Sequence, residues 1–527
     1  MSEKEADYEV GQDNVQVFGL DVHNPVFAIS GLTILAFVFF SLVFREAASE
    51  FFGWLRPALT SNFDWVFMIA CNIFVLFSLF LVVSPYGSIR LGGQDARPDY
   101  SYAGWFSMLF AAGMGIGLVF WGVAEPISHY GSSMGGVAVG EGGVRTDWAP
   151  LGAAEGDMAA SKDLAMAATI FHWGLHPWAI YAVVALALAF FSFNRGLPLT
   201  MRSVFYPIFG NATWGILGHI IDILAVFATI FGLATSLGLG ATQALAGLNY
   251  LFGVPVSDGL KVLLIVVITI MALVSVVAGL DKGVKRLSEV NMILAAVLLV
   301  LVLILGPTVA IFSGFFSGMA NYVAELPALS NWIGREDTNF MQGWTTFYWA
   351  WWISWSPFVG MFIARISRGR TIREFVVCVL LIPTIVGALW MSVFGGAALE
   401  QVTGGAGQAL SEAALELKMF KMFEAFPLTG ILSFVGIILV VVFFVTSSDS
   451  GSLVIDTITA GGKTNAPTAQ RVFWCILEGA IAIVLLLGGG LGALQAAAIA
   501  TGFPFAIVLV LMCVSIMVGL IAERRKR

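Results

Sequence analysis

Long apolar stretches alternate with short polar segments along the 527 residues of the chain. A membrane-spanning helix needs about 20 consecutive apolar residues, and twelve stretches of this kind can be marked. The predicted spans are 26–44, 65–84, 103–127, 163–193, 219–250, 260–280, 289–316, 340–364, 374–396, 429–457, 472–491 and 494–521. Runs of this length exclude an outer-membrane barrel, whose strands alternate over about 10 residues. The pattern predicts an all-α polytopic membrane protein with 12 transmembrane helices.

The composition leaves little room for a soluble domain. Hydrophobic residues make up 59% of the chain and charged residues 11%, with a mean hydropathy of +0.91. Soluble domains carry roughly 25% charged residues. The four cysteines lie inside apolar spans without metal-ligand spacing, so they are expected to be core residues. No metalloprotease, nucleophile-elbow or phosphate-loop motif is present, and we expect no enzymatic activity and no cofactor. Nothing resembles the carbonyl filter or charged ring of an ion channel.

Basic residues are more numerous on one side of the predicted membrane than on the other. With the N-terminus inside, the inner segments hold 18 of the 26 basic residues. The positive-inside rule therefore predicts that both termini are cytoplasmic, 1–25 as a polar segment and 522–527 as a short basic one. The basic run 365–373 is then expected to set the orientation of the neighbouring helices in the membrane and not to bind nucleic acid. The segment 1–25 lacks the basic start of a cleavable signal peptide.

Two spans carry features that disturb a helix. The third contains Gly113, Gly115 and Gly117, each costing about 1 kcal/mol relative to alanine in a helix. Such a segment is either a close-packing seam or an unwound stretch that lines a cavity. In the eighth span, Ser356-Pro357 removes a backbone donor and predicts a second break. Irregular helices at corresponding places in two halves indicate the binding site of a secondary transporter.

This placement divides the chain into two five-helix repeats, spans 3–7 and spans 8–12. The predicted domains are two peripheral helices (26–102), a first repeat (103–316), a periplasmic connecting segment (317–339) and a second repeat (340–521).

Aromatic residues are concentrated in two of the spans. The sets are Trp173, Trp178 and Tyr181 in the fourth span, and Trp351, Trp352 and Trp355 in the eighth. An interfacial aromatic belt is the alternative, but Trp352 and Trp355 lie inside the span and share one helix face. The faces of Trp and Tyr attract a cation that cannot donate hydrogen bonds, by about 2 kcal/mol or more each when desolvated. The pattern therefore predicts a cage for a quaternary ammonium group.

Polar groups inside the spans suggest an ion site beside this cage. Thr446 and Ser447 place adjacent hydroxyls deep in the tenth span, and an unwound third span would add carbonyl oxygens for a hard cation such as Na⁺. Interhelical hydrogen bonding is the alternative. Ionisable residues in a membrane are candidate functional groups. Those in the spans include Glu125, His172, His176, Asp222, Asp449 and Glu478.

At these residues the sequence resembles the betaine/choline/carnitine transporter family. The resemblance runs from about Gly104 to Pro504, and its motifs are 113–117, 171–181 and 349–370. It implies a LeuT-type fold with two inverted repeats, commonly homotrimeric, in a bacterial inner membrane. It also implies import of a small methylated onium zwitterion, such as glycine betaine or dimethylsulfoniopropionate, coupled to sodium by alternating access.

The resemblance also implies roles for individual residues. Those matched to the onium cage are Trp173, Trp178, Tyr181 and Trp352, with Trp351 nearer an access route. Those facing the solute carboxylate are Trp355 and the backbone of Gly113, Met114 and Gly115. Those matched to the main sodium site are Ala111, Met114, Phe443, Thr446 and Ser447.

Two positions bear on ion coupling. A second sodium site would use Thr229 and Phe358, but Leu233 stands where the family has another threonine, with Thr235 and Ser236 close by. Gly117 stands where proton-coupled choline carriers have an acidic residue, which favours a sodium-driven zwitterion. A sodium-independent exchanger or a proton-coupled choline or carnitine carrier of the same fold remains the nearest alternative.

Overall fold

The computed structural model describes residues 8–113, 115–143, 145–146, 149–278, 285–335, 337–405 and 407–525. Over these residues the chain is overwhelmingly helical, and its one sheet is an antiparallel hairpin of β1 (Asn14–Val17) and β2 (Leu20–His23). The prediction of an all-α polytopic membrane protein is confirmed.

The helices of the first half begin with two long apolar ones and include two pairs separated by short breaks. They are α1 (Asn24–Val43), α2 (Arg45–Val83), α3 (Tyr102–Gly113), α4 (Ile116–Met134), α5 (Ala149–Gly152), α6 (Met158–Trp173), α7 (Leu175–Arg195), α8 (Tyr206–Phe209), α9 (Ile216–Phe252), α10 (Asp258–Ala278) and α11 (Lys285–Leu305).

The helices of the second half are longer, apart from two short ones between α14 and α17. They are α12 (Thr308–Leu329), α13 (Thr346–Ile366), α14 (Ile372–Thr403), α15 (Gln408–Glu412), α16 (Lys418–Phe423), α17 (Thr429–Thr459) and α18 (Thr468–Arg525).

Ten helical stretches among the described residues are long and apolar enough to cross a membrane, with α6 and α7 counted together as one stretch, Met158–Arg195. The third predicted span is divided between α3 and α4, and α13 is rich in Trp and Ser, so neither contributes to these ten. Helix α18 covers the last two predicted spans, and its backbone turns at Gly490, where φ is +60°. The count of twelve spans and the inverted relation of the repeats stay predictions.

The predicted interruption of the third span is confirmed. Helix α3 ends at Gly113 and α4 begins at Ile116, with an extended backbone at Gly115. Because lipid cannot satisfy freed backbone groups, a break at this depth must face protein or a polar cavity. The glycines therefore open the helix beside the site described below.

The predicted second break is wrong, because Pro357 lies inside the continuous helix α13. The proline ring leaves the carbonyl of Ile353 without its usual backbone partner. The Ser356 hydroxyl donates to that carbonyl at 2.7 Å, so the residue before the proline repairs the defect. The irregularity lies instead in a π-helical turn, Phe340–Thr345, directly before α13.

The fourth predicted span is divided at Gly174, between α6 and α7. Pro177 does not make this break. It lies in the first turn of α7, where a missing backbone N–H is tolerated. Trp173 therefore ends one helix and Trp178 lies near the start of the next.

The domain boundary placed between residues 316 and 317 falls inside α12. The chain breaks earlier, at Gly306-Pro307, where α11 has ended and α12 begins anew. Proline cannot continue α11, which explains the position of the break. The connecting segment thus contains most of a helix and is not an irregular link.

Small residues let the helices around the site approach closely. A Cβ on Gly360 of α13 would lie 2.5 Å from the Val184 side chain of α7. A Cβ on Gly395 of α14 would lie 2.4 Å from Pro126 of α4. Helix pairs in membranes associate through such small-residue contacts. They hold α13 against α7 and α14 against α4.

The N-terminal hairpin packs on the helical body around the buried Arg202. The guanidinium donates to His23 Nε2 at 3.0 Å and to the Tyr8 hydroxyl at 2.9 Å, and its Nε lies 3.3 Å from Asp222 Oδ2. Burial, and then the neighbouring Arg202 charge, lowers the pKa of His23 to about 3. His23 is therefore a neutral acceptor for Arg202.

Replacing Arg202 by leucine should destabilise the protein strongly, because Asp222 would be left buried without its cation. Breaking a buried pair costs about 3–5 kcal/mol, and the midpoint of thermal unfolding in detergent should fall accordingly. The matched control is Arg45→Leu, whose partner Asp258 and own side chain are 55% and 52% exposed. Such a pair contributes about 0–1 kcal/mol. Equal losses in the two variants would contradict the assignment.

Candidate functional site

A cavity of about 50 Å³ lies beside the break in the third span. Its lining comes from the start of α4 and from α6, α7, α9 and α13. The predicted site residues in the lining are Gly115, Trp173, Tyr181, Trp351, Trp352 and Trp355. Sequence reasoning missed the aliphatic contribution of Ile116, Leu118 and Val359.

The rings of Trp173, Tyr181 and Trp352 lie next to one another in the cavity wall. The Trp352 ring centroid lies 5.2 Å from that of Trp173 and 5.4 Å from that of Tyr181, with interplanar angles of 84° and 69°. Trp178 is fully buried and packs edge-on against Tyr181 at 5.3 Å, outside the cavity lining. The structure thus brings the four predicted cage residues together, with Trp178 behind the wall.

The indole N–H groups around the cavity are all bonded to protein acceptors. Trp352 donates to the His172 carbonyl at 3.0 Å, and Trp355 to the Gly232 carbonyl at 3.1 Å. The other two lining donors are Trp173, bonded to Glu125 Oε2 at 2.8 Å, and Trp351, bonded to Ser236 Oγ at 3.2 Å. Because these four N–H groups already have protein partners, the cavity wall offers no unbonded indole donor in this structure. The Trp355 indole is thus bonded to protein in this structure, and its expected place beside the solute carboxylate stays a prediction.

Backbone at the helix break forms another part of the cavity lining. Gly115 and Gly117 both line it. A Cβ on Gly117 would lie 2.7 Å from the Trp351 ring and 2.8 Å from the Trp173 ring. Only glycine fits there without moving the rings. Gly113 ends α3, and Met114 lies outside the described residues.

Glu125, on α4, is the hub of the polar groups behind the cage. Its carboxylate is fully buried and accepts from the Tyr348 hydroxyl at 2.5 Å and from the Trp173 indole at 2.8 Å. Its other oxygen lies 2.6 Å from His172 Nδ1 and 3.1 Å from His129 Nε2. Charge-assisted bonds of this kind are strong and geometrically specific. Glu125 therefore fixes the orientation of Trp173, a role that the sequence alone did not indicate.

Glu125, His129 and His172 also lie close enough for a metal ion, with ligand atoms within 4.8 Å of one another. The same atoms already bond to each other, and His172 Nε2 lies 2.9 Å from Thr345 Oγ1. The arrangement is therefore explained as a hydrogen-bond network, with the i,i+4 spacing of Glu125 and His129 as its only sequence signal.

The other ionisable residues in the spans have structural partners. His176 Nε2 lies 2.9 Å from Asn72 Oδ1 and its ring stacks on Trp349. Asp449 accepts from Ser275 at 2.6 Å, and Glu478 from Ser448 at 2.8 Å. Asp222 pairs with Arg202 as described above. None of the four lines the aromatic cavity.

Residues of the expected main sodium site lie on α3 and α17. Phe443 and Thr446 are buried, and Ser447 and Ala111 are half-buried. The break and α17 meet across α9, where a Cβ on Gly240 would lie 3.2 Å from Val440 and 3.3 Å from Ile116. Since Met114 is outside the described residues, the complete ligand set stays a prediction.

The neighbourhood of the expected second sodium site is already occupied by protein contacts. Thr229 is buried and its hydroxyl donates to the Ala225 carbonyl at 2.7 Å, while Phe358 packs on Trp355. Leu233 lies against Gly451 of α17, where a Cβ would meet it at 2.3 Å. Leucine at this position thus has a packing role.

The nearby hydroxyls of Thr235 and Ser236 have protein partners, and the second sodium site stays a prediction. Thr235 donates to the carbonyls of Phe231 and Leu494, at 2.8 and 3.1 Å. Ser236 accepts from Trp351 in the cage wall. Both hydroxyls therefore have hydrogen-bond partners within the protein.

The geometry described so far is that of a membrane-embedded aromatic cavity at a helix break. The sequence pattern of the betaine/carnitine/choline family transporters matches residues 25–525. The chain belongs to this family. Membership makes it a transporter, and the expectation that it is not an enzyme is confirmed.

Relatives in this family match nearly the whole chain. A glycine betaine/proline/choline transporter of Vibrio parahaemolyticus is 63% identical over 525 residues, covering 99% of this chain and 95% of the relative. Glycine betaine transporter 1 of the same organism is 54% identical, covering 98% of both. The glycine betaine transporter OpuD of Bacillus subtilis is 43% identical, covering 93% of this chain and 95% of the relative.

Replacing Glu125 by glutamine should destabilise the site while nearly preserving side-chain volume. An amide has a single acceptor oxygen, so its NH₂ would replace a carboxylate oxygen either at the Trp173 and Tyr348 donors or at the histidine nitrogens, and each buried donor left unbonded costs about 1–3 kcal/mol. The thermal unfolding midpoint should fall and the tryptophan emission should shift. The control is Glu424→Gln, in a pair with Lys421 whose glutamate is 41% exposed. If E125Q behaved like this control, Glu125 would not be the hub.

Proposed function

We propose that the chain imports a small methylated onium zwitterion by sodium symport and alternating access. Glycine betaine is the foremost candidate, and dimethylsulfoniopropionate presents a similar cation to the cage. The observation that carries this proposal is the aromatic cavity wall of Trp173, Tyr181 and Trp352, in which both indole N–H groups are bonded to protein acceptors. A methylated onium group needs no hydrogen bond and gains from several ring faces at once.

The other end of a zwitterion needs donors, and the helix break can provide them. Backbone near Gly115 and Gly117 lines the cavity next to the rings. The first N–H groups of a helix lack partners within the helix in general, and the partial positive charge at its start favours a carboxylate. Since the indole donors are occupied, the carboxylate is assigned to this backbone and not to Trp355.

Sodium coupling is supported by the hydroxyls of α17. Thr446 and Ser447 lie on a helix that meets the start of α4 across Gly240 of α9. An ion held between these elements would order the same break that holds the solute, so each ligand would raise the affinity for the other. Leu233, which stands where the family has a threonine and packs against Gly451, favours one sodium ion per cycle.

The cellular setting follows the charge pattern. We assign the protein to a bacterial inner membrane with both termini cytoplasmic. A homotrimer is proposed from the family resemblance.

A broader solute range is the second candidate. The 63% identical relative is named for proline and choline as well as glycine betaine. Choline retains the trimethylammonium group but lacks the carboxylate. It would use the cage alone, and it should bind more weakly than glycine betaine if the helix break holds a carboxylate.

Replacing Gly117 by alanine should weaken glycine betaine binding by about tenfold, equivalent to about 1.4 kcal/mol, because the new methyl group must displace two cage rings. Binding is measured by tryptophan fluorescence of the purified protein. Gly131→Ala is the control, since a Cβ at Gly131 on the same helix meets nothing within 4 Å. Unaltered binding in G117A would remove the cavity from the solute pathway.

Replacing Thr446 by alanine should raise the half-saturating Na⁺ concentration for glycine betaine uptake by at least about tenfold, because one ion ligand is lost. Uptake is measured in proteoliposomes with Na⁺ varied against K⁺. Thr457→Ala is the control, since that buried hydroxyl bonds within α17 to Leu453. Wild-type uptake that ignores Na⁺ would favour the exchanger or proton-coupled carrier.

A further inference from the structure

Asn291, on α11, is a buried amide directed at the proposed sodium site. Its side chain is 2% exposed, and its Nδ2 lies 3.4 Å from Thr446 Oγ1. Its Oδ1 has no hydrogen-bond partner among the residues that the structure describes. A buried acceptor without a partner is unfavourable and requires a reason.

Thr446 is arranged to offer lone pairs toward Asn291. Its hydroxyl hydrogen is directed to backbone carbonyls of its own helix, Phe443 at 3.0 Å and Val442 at 3.2 Å. The lone pairs of Oγ1 are left for an outside group. Two polar side chains from different helices, α11 and α17, therefore face each other in a buried position.

We infer that Asn291 is a further ligand of the sodium site, supplying its amide oxygen to the ion beside Thr446. This inference rests on the proposed sodium coupling. Hard cations take oxygen ligands, and asparagine carbonyls serve among them. The two ends of an amide are alike in shape, so rotation about the last side-chain bond places Oδ1 where Nδ2 now faces Thr446.

An amide suits a monovalent ion at this position. The other proposed side-chain ligands are neutral hydroxyls, so a neutral oxygen from Asn291 adds coordination without adding charge. It also extends the site to a third element. Sodium bound by α17, the helix break and α11 would add a link among these three elements.

A simpler role for Asn291 is to donate from Nδ2 and orient Thr446. Substitutions separate the two roles. Asn291→Asp keeps an oxygen but has no N–H to donate, whereas Asn291→Ala removes both. A ligand role predicts that aspartate substitutes for asparagine, and a donor role predicts that aspartate fails as alanine does.

The test measures the Na⁺ dependence of two properties in wild type, N291A and N291D: glycine betaine uptake in proteoliposomes, and the rise of the thermal unfolding midpoint with Na⁺ replacing K⁺ in detergent. N291A should raise the half-saturating Na⁺ concentration at least about tenfold, as expected for loss of a contact to a charged group. N291D should remain within a few-fold of wild type. If N291A does not fold, Asn291→Ser, whose shorter side chain cannot reach as far, is used instead.

The control for a buried unpartnered polar group is Ser433→Ala. Ser433 lies on α17, is fully buried, and its Oγ also has no partner among the described residues. It is thirteen residues before Thr446, about 20 Å along the helix. Its Na⁺ dependence should match that of wild type.

The outcomes distinguish failure of the Asn291 ligand role from failure of the proposed sodium symport. If T446A shifts the Na⁺ dependence and N291A does not, Asn291 is not a ligand while the proposed symport stands. If N291D is as impaired as N291A, the donor role replaces the ligand role. If wild-type uptake and stability ignore Na⁺, the proposed function fails and this inference fails with it.

Discussion

A helix cannot be interrupted inside a bilayer unless the freed backbone groups meet protein or a polar ligand, and this constraint organises the whole site. The glycines between α3 and α4 open the third span at Gly115. The other helices that line the cavity beside α4, namely α6, α7, α9 and α13, contribute side chains around that opening. In the proposed function, the backbone at the break would hold the carboxylate of the solute and the surrounding rings its cation.

The second requirement is that the rings stay fixed without becoming hydrogen-bond donors to the solute. Glu125 holds Trp173 through its indole N–H, and the His172 carbonyl holds Trp352 in the same way. The Glu125 network lies behind the wall, so a buried carboxylate stabilises the cage without lining the cavity. In the proposed onium site, Glu125 would thus support the cage without being a ligand of the solute.

The fold class, the broken third span and the main cage residues could be predicted because each breaks a local rule of membrane helices. Glycines in a cluster and aromatic rings in mid-span are costly unless they have a role. The continuous α13 could not be predicted, since the Ser356 hydroxyl that repairs the Pro357 defect is a conformational choice. The Glu125 network was equally hidden, because its donors come from α6 and α13, far away in sequence. The N-terminal hairpin packs around the buried Arg202. In the sequence this residue cannot be told from an exposed basic residue of a loop, so this packing could not be predicted.

The most direct test of the aromatic cage is to compare glycine betaine with 3,3-dimethylbutanoate. This carboxylate has the same shape, with a neutral carbon in place of the ammonium nitrogen. Calorimetric titration of the purified protein in Na⁺ would give both affinities. Contacts of about 2 kcal/mol or more per ring face predict that glycine betaine binds at least about 100-fold more tightly. Equal affinities would mean that the cavity selects shape alone, and the cation–π account of the site would be wrong.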